Sequence, residues 1–201
     1  MKSYKKDIAS LVLRSMLAGM TIGFGCIAYV LNIDNKILGS FLFSLALLTV
    51  LVQEMILYTG KIGFVENIYD GVIMIPVMLF NMVGIYIVGR IITYTSLDFS
   101  AVIPLVNAKL SAPDISSFIL AICCGVMMYF AVYNFKEEKH PLYVIMPIMC
   151  FILCGFEHCI ADMGYFAIAA VPFDTNFFIK MGLYIAGNGI GSLIFSKLNI
   201  G

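Results

Sequence analysis

Ionisable residues are rare in the long apolar segments of this 201-residue chain, and those that occur lie at few points. Glu157, His158 and Asp162 fall within one short stretch, and Glu54 lies in an earlier one. Lys109 lies between them. Charged groups at membrane depth are costly and usually face a bundle interior or a water-filled cavity, where they bind ions or relay protons. These five residues are therefore the candidates for chemistry.

Three interpretations of His158 are open. It is a hydrogen-bonded core residue, a group lining a pore, or a metal ligand. Its place beside Glu157, within a polar interruption of an apolar segment, favours the pore. His158 and Asp162 are four positions apart and share a helical face, but no third or fourth ligand follows at a recognisable spacing. The sequence therefore predicts no metal site and no cofactor.

Enzyme chemistry has little support. Cys159 next to His158 resembles a thiol nucleophile with its base, but adjacent residues of a helix point about 100° apart and do not face each other. Gly187, Gly189 and Gly191 are better explained as small residues for close helix packing than as a phosphate-binding loop. We expect no enzyme.

The composition identifies a polytopic membrane protein. Of its residues, 62% are hydrophobic and only 12% are charged, with a mean hydropathy of +1.01. A soluble domain carries roughly twice that charged fraction. Lys and Arg balance Asp and Glu at twelve each, so charge supports no nucleic-acid partner. The expected surroundings are a lipid bilayer.

Six segments are long and apolar enough to cross a bilayer, which needs about 20 residues per helix. They are residues 11–31, 37–58, 72–94, 115–135, 142–163 and 177–198. Basic residues set the orientation. With both termini cytoplasmic, the inside set is Lys2, Lys5, Lys6, Arg14, Lys61, Lys136, Lys139 and Lys197, and the outside set is Lys36, Arg90, Lys109 and Lys180. The larger inside set favours an inner (plasma) membrane protein with cytoplasmic termini.

The second and fifth segments contain Gly and polar residues before their apolar runs end, so both are expected to be broken helices. Glu54 in the first break corresponds to Glu157 in the second, 103 positions later, and Asn81 and Gly84 in the third segment correspond to Asn188 and Gly191 in the sixth, 107 positions later. The order of features suggests two inverted three-helix repeats, about 8–97 and 113–198, in one domain over 1–201. Chance similarity in an apolar chain is the alternative.

The stretch between the halves is too apolar for a free loop and too interrupted by Pro104 and Pro113 to span a bilayer. It predicts a short helix at the outer face. That helix would bring Lys109 toward a pore mouth.

The sequence around His158 resembles the formate/nitrite transporter family. The match is Gly-Phe-Glu-His at 155–158, followed by Ala161 and Met163. Tyr58-Thr59-Gly60 in the second segment, Lys109, and Gly187, Asn188 and Gly191 in the sixth agree as well. The resemblance spans essentially all six segments. It implies an all-α, aquaporin-like bundle, one pore per protomer and a homopentamer.

The resemblance also implies two apolar constrictions flanking the histidine. Phe43 and Phe151 belong by position to the outer one, and Leu47, Leu57 and Tyr58 contribute to the narrow path and the inner one. Thr59, His158 and Asn188 supply polar contacts between the constrictions. Asp162 departs from the family, which has Asn there, and leaves the substrate in question.

These features favour a channel or proton-coupled transporter of small monovalent acid anions, namely formate, nitrite or hydrosulfide. Lys109 would attract the anion and favour its protonation, and the neutral acid would pass the apolar rings. Glu157 either orients His158, pairs with Lys109, or ties the broken helix to Asn81 or backbone amides. The alternatives are a passive aquaporin-like pore for a neutral solute and a membrane protein with no pore.

Overall fold

A computed structural model describes residues 8–198 and contains only helices and their connections there. In chain order the helices are α1 (Ile8–Val30), α2 (Lys36–Val52), α3 (Tyr58–Lys61), α4 (Ile68–Ile92), α5 (Val102–Ser111), α6 (Asp114–Glu138), α7 (Leu142–Leu153), α8 (Cys159–Ile168) and α9 (Thr175–Leu198). A 3-10 turn, Ile62–Phe64, extends α3. Lys2, Lys5 and Lys6, used above for the orientation, lie outside the described residues.

Four of these helices, α1, α4, α6 and α9, are long and apolar enough to cross a membrane. Their exposed faces carry large apolar side chains, among them Phe24, Ile75, Ile119 and Phe178. Apolar surface of this kind is stable against lipid or a protein neighbour and is unfavourable in water. These helices are therefore suited to a membrane environment.

The second and fifth predicted segments are each divided into two helices. Residues 53–57 separate α2 from α3, and residues 154–158 separate α7 from α8. Each break contains one residue with left-handed backbone: Glu54 at φ 51° and Gly155 at φ 70°. Glycine adopts this conformation without steric cost, whereas Glu54 adopts it against a penalty of about 1 kcal/mol. Both breaks thus occur where the sequence contains polar or small residues.

One buried asparagine holds the first break. The side-chain oxygen of Asn81 accepts a hydrogen bond from the Tyr58 backbone N–H at 2.8 Å. Its amide group donates to the carbonyls of Ser15, at 2.7 Å, and Ile56, at 2.8 Å. The broken segment is therefore fixed to both α1 and α4.

Asn188 makes the same three bonds at the second break. It accepts from the Cys159 N–H at 2.8 Å and donates to the carbonyls of Ala121, at 2.8 Å, and Glu157, at 2.7 Å. Glu157 thus occupies the place that Ile56 occupies in the first break. The expected correspondence of Glu54 with Glu157 is wrong, because Glu54 is the left-handed residue and its counterpart is Gly155.

The long helices pack closely in pairs, α1 against α4 and α6 against α9. A side chain at Gly84 would overlap the backbone oxygen of Met16, and one at Gly191 would overlap the backbone oxygen of Ile122. Only glycine permits such close approach of two helix backbones. The Asn-x-x-Gly pattern in α4 and α9 therefore serves both the breaks and the helix packing.

Candidate functional site

A cavity of about 220 Å³ lies beside the second break. Its walls come from α1, α2, α5, α7, α8 and the break itself: Tyr29, Lys36, Leu105, Lys109, Phe151, Ile152, Leu153, Cys154, Gly155, Phe156, His158, Ala161, Asp162 and Tyr165. Lys36 and Gly155 are exposed, whereas His158 and Asp162 are buried. The cavity therefore connects the protein surface with the buried polar residues.

A cluster of three ionisable residues lies at this cavity. The ammonium of Lys109 donates a short hydrogen bond to Glu157 Oε2 and lies 2.9 Å from Asp162 Oδ1. Burial is nearly complete, with side-chain exposures of 10%, 4% and 2% for Lys109, Glu157 and Asp162. Of the three, Lys109 and Asp162 line the cavity. We refer to these residues as the ion cluster.

Lys109 is thus a paired group in the cavity wall, supplied by the short helix α5 that the sequence predicted. Its partner is Glu157, and pairing with Lys109 was one of the three roles that the sequence left open for Glu157. Asp162 contacts the same ammonium group, so the cluster contains two carboxyl groups and one cation. The Oδ2 atom of Asp162 is buried and has no hydrogen-bond partner within residues 8–198.

His158 is held by hydrogen bonds at both ring nitrogens. Nδ1 accepts from the Ala161 backbone N–H at 3.1 Å, which caps the start of α8. Because Nδ1 accepts, the ring is neutral and carries its proton on Nε2. Nε2 lies 2.8 Å from Thr59 Oγ1 and donates to it. The two breaks therefore meet through Thr59 and His158.

Two phenylalanines extend this layer. The ring of Phe151 stacks on His158, with centroids 5.5 Å apart and planes inclined by 9°. Phe43 contacts Phe151 edge to face, at 6.3 Å between centroids. The structure thus brings Thr59, His158, Phe151 and Phe43 together in one contiguous group beside the cavity.

The other predicted constriction residues are buried and lie outside the cavity wall. Leu47, Leu57 and Tyr58 are almost fully buried and do not line the cavity. Tyr58 Oη donates to the Ile185 carbonyl at 3.2 Å. The amide of Asn188 is occupied by three backbone groups, so it positions the break.

Among the residues at the cavity that sequence reasoning missed are the polar Lys36, Tyr29 and Tyr165. Lys36 had been counted only toward the orientation. It begins α2, is exposed, and makes no ion pair with the part of the chain that the structure describes. No pattern in the sequence indicated that the start of α2 would lie beside the second break.

The six cysteines are free thiols. Residues 8–198 contain no cluster of three or more His, Cys, Asp or Glu side chains placed to hold a metal ion. The site consists of an ion cluster, a neutral histidine and aromatic rings.

A family model described as formate/nitrite transporter matches residues 1–199. The formate channel FocA of Haemophilus influenzae is 28% identical over 162 residues, which cover 75% of this chain and 52% of that protein. This chain thus spans about half the length of that relative. An uncharacterized transporter of Bacillus subtilis, YwcJ, is 27% identical over 188 residues, covering 79% of this chain and 72% of its own.

Solved structures share the fold. An FNT family ion channel superimposes with a TM-score of 0.80 at 22% identity, over 94% of this chain and 87% of its own. A pentameric formate channel with formate bound superimposes with a TM-score of 0.85 at 20% identity, over 98% of this chain and 97% of that channel chain.

Proposed function

The chain belongs to the formate/nitrite transporter family, and on this premise we propose that it is a channel or proton-coupled transporter of small monovalent acid anions. Formate and nitrite are the first candidate substrates, and hydrosulfide is the third. The observation that carries this proposal is the cavity that runs from exposed Lys36 to buried Lys109 and His158.

The proposed architecture is a single domain of two inverted three-segment repeats, about 8–97 and 113–198. It is supported by the matching hydrogen bonds of Asn81 and Asn188 at the two breaks. Three transmembrane passes per half give the halves opposite orientations, which places the breaks near the bilayer midplane. We further propose cytoplasmic termini, an inner (plasma) membrane location and a homopentamer, like the pentameric channel whose fold the chain shares.

The proposed path begins at the cavity mouth. Lys36 raises the local anion concentration there, because its charge is exposed and not ion-paired in the described chain. Deeper in the cavity, hydration falls and the cost of a bare anion rises to many kcal/mol. Lys109 limits that cost, and the substrate crosses the apolar layer at Phe43 and Phe151 as the neutral acid.

We assign His158 the polar contact within that layer. Its Nε2 proton is given to Thr59 Oγ1 when no substrate is present. A neutral acid presents a carbonyl or nitroso oxygen that can replace Thr59 as the acceptor, while the Thr59 hydroxyl turns to the substrate. Neither exchange leaves a buried donor unpaired, which keeps the barrier low.

The test is stopped-flow uptake by the purified protein in proteoliposomes, with formate, nitrite, hydrosulfide and the larger lactate compared at equal concentration. We expect saturable uptake of at least one of the first three, and loss of that uptake in His158→Phe, which blocks the polar contact. Uptake of none of the four above the level of protein-free vesicles contradicts the proposal.

A further inference from the structure

The ion cluster has more carboxyl groups than cations. Glu157 and Asp162 both contact Lys109, and no second cation pairs with either within residues 8–198. Two ionised carboxylates would leave one net negative charge in a nearly dry site. Like charges sharing one site favour the retention of a proton on one of them. Charge balance therefore calls for one protonated carboxyl group.

The geometry favours Asp162 as the carboxyl group that retains this proton. Its Oδ2 atom is the one buried carboxyl oxygen in the described chain that lacks a hydrogen-bond partner. An ionised oxygen is an acceptor that needs donors, whereas a carboxylic acid O–H is a donor that can serve an incoming group. Asp162 lines the cavity and Glu157 does not. Asp162 is therefore the carboxyl group of the ion cluster that a substrate in the cavity meets.

Among the titratable groups in this region, Asp162 is the carboxyl group that lines the cavity. The titratable groups around Asp162 are Lys109 of α5, Glu157 and His158 of the break, Cys26 and Tyr29 of α1, Cys124 of α6, Cys159 and Tyr165 of α8, and Tyr184 of α9. Lys109 is held by two carboxyl groups, and the Nε2 proton of His158 is engaged by Thr59. Asp162 also lies in the first turn of α8, whose dipole favours a carboxylate and so makes the proton transferable.

We propose that Asp162 is the proton donor of the pore: it holds a proton on Oδ2 and transfers it to the monovalent anion in the cavity. This inference rests on the proposed function. In the step, the O–H bond of Asp162 breaks and an O–H bond forms on the anion, leaving a carboxylate beside Lys109. The neutral acid moves on past His158, and a hydronium ion from the water at the cavity mouth protonates Asp162 again, leaving neutral water. Nothing is oxidised or reduced.

The presence of a proton on Asp162 can be tested by spectroscopy, without a transport assay. Infrared spectra of the purified wild type at neutral pH should contain the carbonyl band of a buried carboxylic acid, which shifts in deuterated water. Asp162→Asn should remove this band. The control Asp98→Asn, in an exposed loop, should keep it. A spectrum without the band, or a band that survives Asp162→Asn, overturns the proposal.

Measurements of formate uptake test whether Asp162 transfers its proton to the anion. Asp162→Asn keeps the size of the side chain and removes the proton, so formate uptake at neutral pH should fall at least about tenfold. It should recover as the external pH is lowered, because the acid then arrives neutral, and Asp98→Asn should match the wild type throughout. If Asp162 were ionised, removing its charge would instead speed up the anion.

Unchanged or faster uptake in Asp162→Asn therefore overturns the proposal and leaves the proposed function intact. A loss that persists at low pH assigns Asp162 a structural role and also overturns it. Absence of uptake by the wild type contradicts the proposed function itself, while the infrared result still decides whether Asp162 holds the proton.

Discussion

Replacing Lys109 by Gln removes the single cation of the ion cluster and gives the most informative perturbation of the site. Both carboxyl groups lose the ammonium that they contact, and the Glu157 carboxylate is left without its counter-charge. Breaking a buried ion pair by removing one partner costs about 3 to 5 kcal/mol. For a chain of this length that corresponds to a fall of roughly 6 to 20 °C in the unfolding midpoint.

The same substitution should slow anion transport. It makes the cluster more negative by one charge, and a unit charge about 8 Å from the anion adds about 2 kcal/mol to the barrier at an effective dielectric constant of about 20. Formate uptake at neutral pH should then fall about thirty-fold. Unfolding in detergent and stopped-flow uptake in proteoliposomes measure the two effects on one preparation.

The double variant Lys109→Gln, Glu157→Gln removes one charge of each sign and leaves the net charge of the cluster unchanged. It should recover more than half of the lost stability and most of the lost uptake. Lys109→Gln with wild-type stability and uptake, or a double variant no better than the single one, would show that this pairing does not control the site.

Three further sets of substitutions test other parts of the molecule. Asn188→Ala removes three hydrogen bonds at about 1 kcal/mol each, so it should lower the unfolding midpoint by roughly 6 to 12 °C, and Asn81→Ala should do the same; a fall in only one of them argues against equivalent breaks. Gly84→Ala forces a side chain against the backbone of α1 and should leave little monodisperse protein on gel filtration, whereas Gly182→Ala, in open space, should behave as wild type; equal behaviour of the two refutes the packing argument. Lys36→Gln should reduce anion uptake several-fold at low ionic strength and little at high salt; an effect independent of salt contradicts attraction at the cavity mouth.

The broken helices were predictable because their signals are local. Gln53 and Glu54 interrupt the first apolar run, and Gly155, Glu157 and His158 interrupt the second, where an intact helix would leave polar groups facing lipid. The expected equivalence of Glu54 and Glu157 in the two halves is wrong, because similarity of residue type does not fix the alignment of one half with the other. Backbone conformation and hydrogen bonding fix it, and they place Gly155 opposite Glu54.

The ion cluster was only partly predictable, because its contacts join distant parts of the chain. The sequence identified Lys109, Glu157 and Asp162 as costly charges but did not indicate that a single ammonium serves both carboxyl groups. That arrangement depends on how α5 packs beside α8. Lys36 was missed for the same reason, since its place at the cavity follows from the packing of α2.

Formate uptake by the wild-type protein, followed with a pH indicator inside the vesicles, tests the central claim most directly. Vesicles containing the purified protein should take up formate faster than protein-free vesicles, with saturation, with faster uptake at lower external pH, and with internal acidification that follows the formate. Formate uptake no faster than in protein-free vesicles, together with raised water permeability, would contradict the account and favour a pore for neutral solutes.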